Sequence, residues 1–227
     1  EINRCIKNKQ SFFVLAGAGA GKTKSLIDTL NYLKTTYKSK YLRKGRKIAV
    51  ITYTDNAARE ITERLGEETF FRISTIHSFA WDVIFNYKKL LMELIRSKES
   101  NPSIRDVEYS MQKSTSEIYR LNHNEVITYF IEILEKYPAV KSIIVQEYPL
   151  ILVDEYQDTD KRIIEILLNL NNNENFTLGF YGDPMQRIYT SGYSFLEDKL
   201  KENLFIEIKK EWNWRSSYEI VEFINKV

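Results

Sequence analysis

Short apolar runs alternate along the chain with longer stretches whose apolar positions recur at helical spacing, the rhythm of a parallel α/β sheet. The predicted strands are 12–16, 48–52, 71–75, 150–154, 177–181 and 204–208. Several are unbroken hydrophobic runs, as expected when helices cover both faces of a strand. Between Asn86 and Glu147 the rhythm changes. That stretch is rich in charge and reads as helices, with Val126, Tyr129, Phe130, Ile133 and Leu134 at helical spacing. The pattern predicts an α/β domain from residues 1–85 and 148–227, interrupted by a small helical subdomain at 86–147. Asn171, Asn172 and Asn173 read as a polar turn.

Composition changes this picture little. A chain of 227 residues can bury a sizeable core, and 43% hydrophobic with 28% charged residues is ordinary for a water-soluble fold. The formal net charge is only +2, so nucleic-acid binding cannot be argued from bulk charge and must rest on local sites. The single cysteine, Cys5, excludes an internal disulfide and fits a reducing compartment. No apolar run approaches a membrane span and no signal peptide is visible, so a cytoplasmic protein with no membrane partner is expected. The chain opens at Glu1 rather than Met, which reads as part of a longer polypeptide.

The chemistry begins after the first predicted strand. Ala16, Gly17, Ala18, Gly19, Ala20, Gly21, Lys22 and Thr23 form a loop of small residues between a strand and a helix-like stretch, the context of a phosphate-binding loop. Small residues let backbone N–H groups curl around phosphate oxygens, and the helix N-terminus adds its positive dipole end. Lys22 then reaches the β- and γ-phosphates and the Thr23 hydroxyl ligates Mg²⁺, so the chain is expected to bind a nucleoside triphosphate. Ala16 stands where the usual pattern has Gly.

A second signal, Leu152 to Asp158, closes the predicted strand at 150–154 with an acidic turn. Asp154 is placed to hold Mg²⁺, directly or through water, and Glu155 to accept the proton of an attacking water. Gln157 and Asp158 point toward the same crevice, and Asp158 or Thr159 also suits the N-cap of a following helix. After the next strand, Gly182 permits a sharp turn, Pro184 suits a first helical position, and Gln186 is placed to sense a γ-phosphate.

Six segments in order together resemble the ATP-binding half of superfamily 1 helicases of the UvrD/Rep/PcrA type. They are Ala16 to Thr23, Thr52 to Ile61, Ser74 to Phe79, Val153 to Asp158, Gly182 to Tyr189 and Asn213 to Ser216. The resemblance implies a RecA-like P-loop NTPase fold, with the helical insertion where such helicases carry their 1B subdomain. It implies ATP and Mg²⁺ as cofactors, Lys22, Glu155, Gln186 and Arg215 as catalytic residues, and Thr23 and Asp154 as metal ligands. Arg215 is a transition-state cation, Trp214 stacks on adenine, and Lys24 stands where the family often has an Arg near the base. Thr54, Thr75, His77 and Tyr189 are implied contacts to single-stranded DNA or a single/double-strand junction.

Departures from the family pattern weaken the DNA contacts more than the nucleotide site. Asp55 and Asn56 replace an Asn-Lys pair, and Ser191 and Gly192 replace a Trp-Arg pair that supplies a base-stacking platform. Tyr189 or Tyr193 can substitute. The adenine-recognising Gln falls at or before Glu1, since Gln10 is too close to the loop. A second RecA-like domain is encoded nowhere in the sequence, so it is expected from the rest of a longer chain or from a partner subunit.

Two functions follow. One is the ATPase core of a DNA helicase or translocase moving on single strands. The other is a nucleotide-gated DNA-binding or regulatory subunit of a nuclease or phage-defence complex that does not unwind. Other features have plainer readings. The basic run from Lys34 to Lys47 reads as a solvated face at the end of the sheet opposite the nucleotide. His123 reads as a lone structural histidine, Trp81 and Phe85 as core, and the aromatic and basic residues of the insertion as its amphipathic cover.

Overall fold

The computed structural model describes residues 1–17, 19–171, 175–183, 202 and 205–210. The elements, in chain order, are α1 (Ile2–Lys7), β1 (Phe12–Ala16), α2 (Lys22–Leu42), β2 (Ile48–Thr52), α3 (Asp55–Leu65) and β3 (Phe71–Thr75). Then come α4 (Ile76–Asn86), α5 (Lys88–Glu99), β4 (Asp106–Tyr109), β5 (Ile118–Leu121), α6 (His123–Lys136) and α7 (Pro138–Glu147). The series closes with β6 (Leu150–Asp154), α8 (Lys161–Leu170), β7 (Thr177–Gly182) and β8 (Ile206–Lys210).

Two compact units emerge, one of residues 1–74 with 145–227 and one of residues 75–144. The first holds a sheet of order β3-β2-β6-β7-β1-β8, with parallel pairing at β1–β7, β1–β8, β2–β6 and β6–β7. β2, β6 and β7 are buried along their whole length, which explains why they read as unbroken apolar runs. The chain leaves β1, crosses β7 and β6, and re-enters at β2, so the crevice beyond the carboxyl ends of β1, β6 and β7 is a topological switch point. Phe12, Val14, Leu26, Leu30, Leu33, Val50 and Leu152 form the core between sheet and helices.

β8 runs over 206–210, two residues beyond the expected 204–208. Its partner sets its limits: Phe12 to Ala16 pair in register with Ile206 to Lys210. As an edge strand it alternates Ile206 and Ile208 with Glu207 and Lys209, a half-solvated pattern that an apolar run does not capture.

The second unit begins at Thr75, earlier than the expected boundary at 86, because α4 belongs with α6: Phe79 and Phe130 meet edge-on at 6.4 Å. α6 opens with a capping box in which Asn122 and Glu125 exchange side-chain and backbone bonds, and it buries Val126, Tyr129, Phe130, Ile133 and Leu134. The unit is not purely helical. β4 and β5 pair in parallel as a two-stranded ribbon, Val107 opposite Tyr119.

Trp81 and Phe85, expected in the core, stand in a row of rings in this unit instead. Phe85 is 43% exposed and lies 5.0 Å from Trp81, which stands 5.8 Å from Tyr109. Tyr109 contacts His123 by ring and by hydroxyl. His123 is therefore not isolated: its ring also lies 4.7 Å from that of His77.

Candidate nucleotide site

The site is assembled by register. Asp154 pairs with Tyr181, and Tyr181 with Val14, so the carboxyl ends of β6, β7 and β1 are level and their loops open on one crevice. The loop after β1 turns back through Gly19 and Gly21, both at φ 77°, a left-handed backbone that side chains disfavour. Gly21 is the N-cap of α2, and its carbonyl accepts from Ser25 N at 2.8 Å. A Cβ on Gly17 would meet no atom within 4 Å. No contact among the described residues demands glycine there, and the open space leaves its backbone accessible to an incoming group. Ala16 ends β1, Ala20 N donates to Gly17 O, and Ala18 lies outside the described residues.

Lys22 begins α2 and reaches across to β6. Its Nζ contacts a carboxylate oxygen of Glu155 and stands 3.9 Å from Asp154 Oδ1. Asp154 is 5% exposed, and its Oδ1 is buried without a hydrogen-bond partner among the described residues. Burial pushes its carboxyl up to about 6, opposed by the Lys22 cation and reinforced by the Glu155 and Glu60 charges. An unsatisfied, buried carboxylate oxygen suits a hard divalent cation. Mg²⁺ commonly takes one or two protein oxygens and fills its shell with water and phosphate. Thr23 is half-buried in the first turn of α2, while Lys24 is exposed.

Glu155 has a left-handed backbone, φ 49° and ψ 47°, which costs on the order of 1 kcal/mol for a residue with a side chain. The turn that follows, Tyr156–Asp158, folds Gln157 back. Gln157 Nε2 donates to Glu155 Oε2 at 2.6 Å, and Gln157 Oε1 accepts from Asp183 N at 3.3 Å. Gln157 therefore links the end of β6 to the end of β7, where Asp183 is 2% exposed. The sequence suggested Gln157 as a crevice residue but not this bridge, which depends on strand register. Neither Asp158 nor Thr159 caps the next helix: Asp160 does, accepting from Arg162 N at 2.8 Å. The chain needs that extra residue because the turn at 156–158 completes before α8 begins.

The residues expected to touch DNA divide between the two units. Thr54, in the first, is the N-cap of α3, its hydroxyl accepting from Ala57 N at 3.2 Å. Asp55 is the acid in that helix's first turn, a favourable place beside the helix dipole. Thr75, in the second unit, caps α4 through Ser78, and His77 follows it in the first turn, half-buried against His123. Gln186, Tyr189, Trp214 and Arg215 lie outside the described residues.

No helix among the described residues is long and apolar enough to cross a membrane. Over residues 2–192 the sequence matches the AAA domain family AAA_19. It is 25% identical to the Gabija protein GajB of Bacillus cereus (strain HuB5-5), over all of this chain and 48% of that protein. It is 28% identical to the ATP-dependent DNA helicase Rep of Buchnera aphidicola subsp. Schizaphis graminum, over 94% of this chain and 41% of the helicase. The chain thus spans less than half the length of either relative. The fold resembles the crystal structure of Pif1 helicase from Candida albicans, with a TM-score of 0.52 and 18% identity over 99% of this chain and 42% of that one. A loop of small residues level with an acidic strand end, together with the match over 2–192, places this chain in the AAA_19 family of AAA domains, a nucleotide-using family.

Proposed function

We propose that this chain is the ATP-binding core of a DNA helicase or translocase, coupling ATP hydrolysis to movement on single-stranded DNA. The observation that carries the reading is the meeting of Lys22 with Asp154 and Glu155, brought together from two strand ends that flank β7. A lysine at the mouth of a small-residue loop neutralises phosphate charge, and a carboxylate beside it is placed to take a proton from water. Thr23 and Asp154 would hold Mg²⁺, which supplies charge neutralisation of the phosphates when bound. Gln157 orients Glu155 through the 2.6 Å bond, so the base has a fixed direction before substrate arrives.

Gln186 and Arg215 are the proposed γ-phosphate sensor and transition-state cation, and Trp214 with Lys24 the proposed base contacts. The DNA partner is supported by the name of one relative, the DNA helicase Rep, and by the motif positions of Thr54, Thr75, His77 and Tyr189. The second wall of the ATP cleft is expected from further sequence or from a partner subunit.

The test is nucleotide binding and turnover with and without single-stranded DNA, for the wild-type chain, Lys22→Ala and Glu155→Gln. The expected result is Mg²⁺-ATP binding that survives Glu155→Gln and falls at least tenfold in Lys22→Ala. Any DNA-stimulated turnover disappears in both variants. Binding indifferent to Lys22→Ala sinks the assignment of the loop.

A further inference from the structure

A second site lies at the opposite end of the sheet. Residues just before β1, β6 and β7, together with the turn leading into β2, enclose a cavity of about 340 Å³. It is separated from the Lys22–Asp154 crevice by the length of β6, roughly 16 Å for five strand residues. Lys9, Lys40, Lys44 and Arg46 line it, and no carboxylate does among the described residues. Ile6 and Leu150 provide its apolar floor.

The chain arranges these cations deliberately. Gly45, at φ 64°, turns the chain sharply after α2, and Lys44 N and Arg46 N both donate to Tyr41 O at 2.9 Å. That turn brings Lys44 and Arg46 to one rim with Lys40 of the last helical turn. From the other side Lys9 donates to Asn175 Oδ1 at 2.7 Å, which holds its amine at the mouth. The contrast within the same basic run is informative. Lys34 and Lys38 both pair with Glu68, at 2.5 and 2.6 Å. Lys40, Lys44 and Arg46 have no ion-pair partner among the described residues. Glu174, next to Asn175 in sequence, lies outside those residues.

We infer that this cavity is an anion site for an oligophosphate carried on a small organic body about the size of one nucleotide. Four cations around one opening, with no carboxylate among the described residues lining it, repel each other, and an anion with several oxygens relieves all four. Separate lysine amines suit several phosphate oxygens as point charges, where a single bidentate anion would suit one arginine fork. The volume falls in the range of about 300–1,000 Å³ typical of small-molecule sites, so a lone phosphate underfills it. The apolar floor and the half-buried Tyr41 ring beside the cations suit the non-phosphate part. Two sources share this chemistry: a free nucleoside polyphosphate, and the phosphorylated end of a nucleic-acid strand.

The experiment uses the chain carrying Lys22→Ala, so that the phosphate loop does not hold the probe. Binding of radiolabelled inorganic tripolyphosphate is measured by equilibrium dialysis, with thermal melting as the folding control. The expected result is retained binding in Lys22→Ala, weakened at least tenfold by adding the charge reversals Lys40→Glu and Lys44→Glu. Both lysines are exposed, so the fold should be unaffected, and Arg46→Gln gives a second, milder loss. A 5′-phosphorylated oligonucleotide that outcompetes its 5′-hydroxyl twin assigns the strand end as source; equal competition assigns the free polyphosphate. The inference is overturned if Lys22→Ala alone abolishes tripolyphosphate binding, or if the charge reversals leave it unchanged.

Discussion

Replacing Asp154 by Asn should stabilise the free protein while removing its affinity for Mg²⁺-nucleotide. The carboxyl is 5% exposed and its pKa rises from 3.8 to about 6, chiefly through burial. A rise of this size corresponds to about 3 kcal/mol against the charged form at about 1.4 kcal/mol per pH unit. The folded-state value lies above the unfolded one, so the folded chain keeps this proton to higher pH. Stability therefore falls as pH rises from about 4 through about 6, and the full penalty is present above that. Asn has nearly the same shape and no charge to desolvate.

Thermal melts in metal-free, nucleotide-free buffer test this. At pH 8 Asp154→Asn should melt higher, by up to about 6–12 °C at roughly 2–4 °C per kcal/mol for a domain of this size. The gap should close as pH approaches 4, where the wild-type carboxyl is neutral in both states. Excess Mg²⁺-ATP should reverse the order, because ligand stabilises only the form that binds it. A less stable Asn variant at pH 8, or a gap that ignores pH, would falsify the reasoning and show that attraction to Lys22 outweighs the burial of the charge.

Two further outcomes test the packing that positions the site. A Cβ on Gly182 would lie 2.5 Å from Gln157 Oε1 and from the Tyr156 ring, so Gly182→Ala should cost about 1–3 kcal/mol. It should also displace Gln157, visible as a drop in nucleotide affinity alongside the lower melting temperature; unchanged affinity would break the proposed link between that bridge and the site. In the other unit, Asn122→Ala removes the capping box of α6 and should cost about 1 kcal/mol in urea unfolding, with nucleotide binding untouched.

Four strands were legible because each is a largely apolar run buried on both faces, a signal that needs no partner to read. β4 and β5 were not. Asp106–Tyr109 and Ile118–Leu121 carry four residues each, with only Val107 and Leu121 buried, and only their mutual pairing makes them strands. The same distinction runs through the site. Lys22, Asp154 and Glu155 announce themselves by local context, a loop after one strand and an acid turn after another. The Gln157–Asp183 bridge exists because β6 and β7 pair with Asp154 opposite Tyr181, a register no local pattern contains. His123 looked isolated for a similar reason, since its partners His77 and Tyr109 arrive from α4 and the end of β4.

One lysine faces two carboxylates in the proposed site, and this has a consequence for the proposed reaction. Lys22 is shared between Glu155 and Asp154, and Glu155 also accepts from Gln157. A triphosphate arriving without a divalent cation would draw Lys22 away and leave two carboxylates facing an anion. At an effective dielectric constant of 20, each like-charge contact at 4 Å costs about 4 kcal/mol. A nucleotide arriving with its cation would give the Asp154 oxygen a metal to ligate and Lys22 a phosphate to neutralise. Glu155 would then be relieved of the lysine while keeping its bond to Gln157 and its left-handed backbone. Lys22 and Gln157 both engage Glu155 Oε2, so under the proposed reaction the second carboxylate oxygen is the one placed to accept a proton from water.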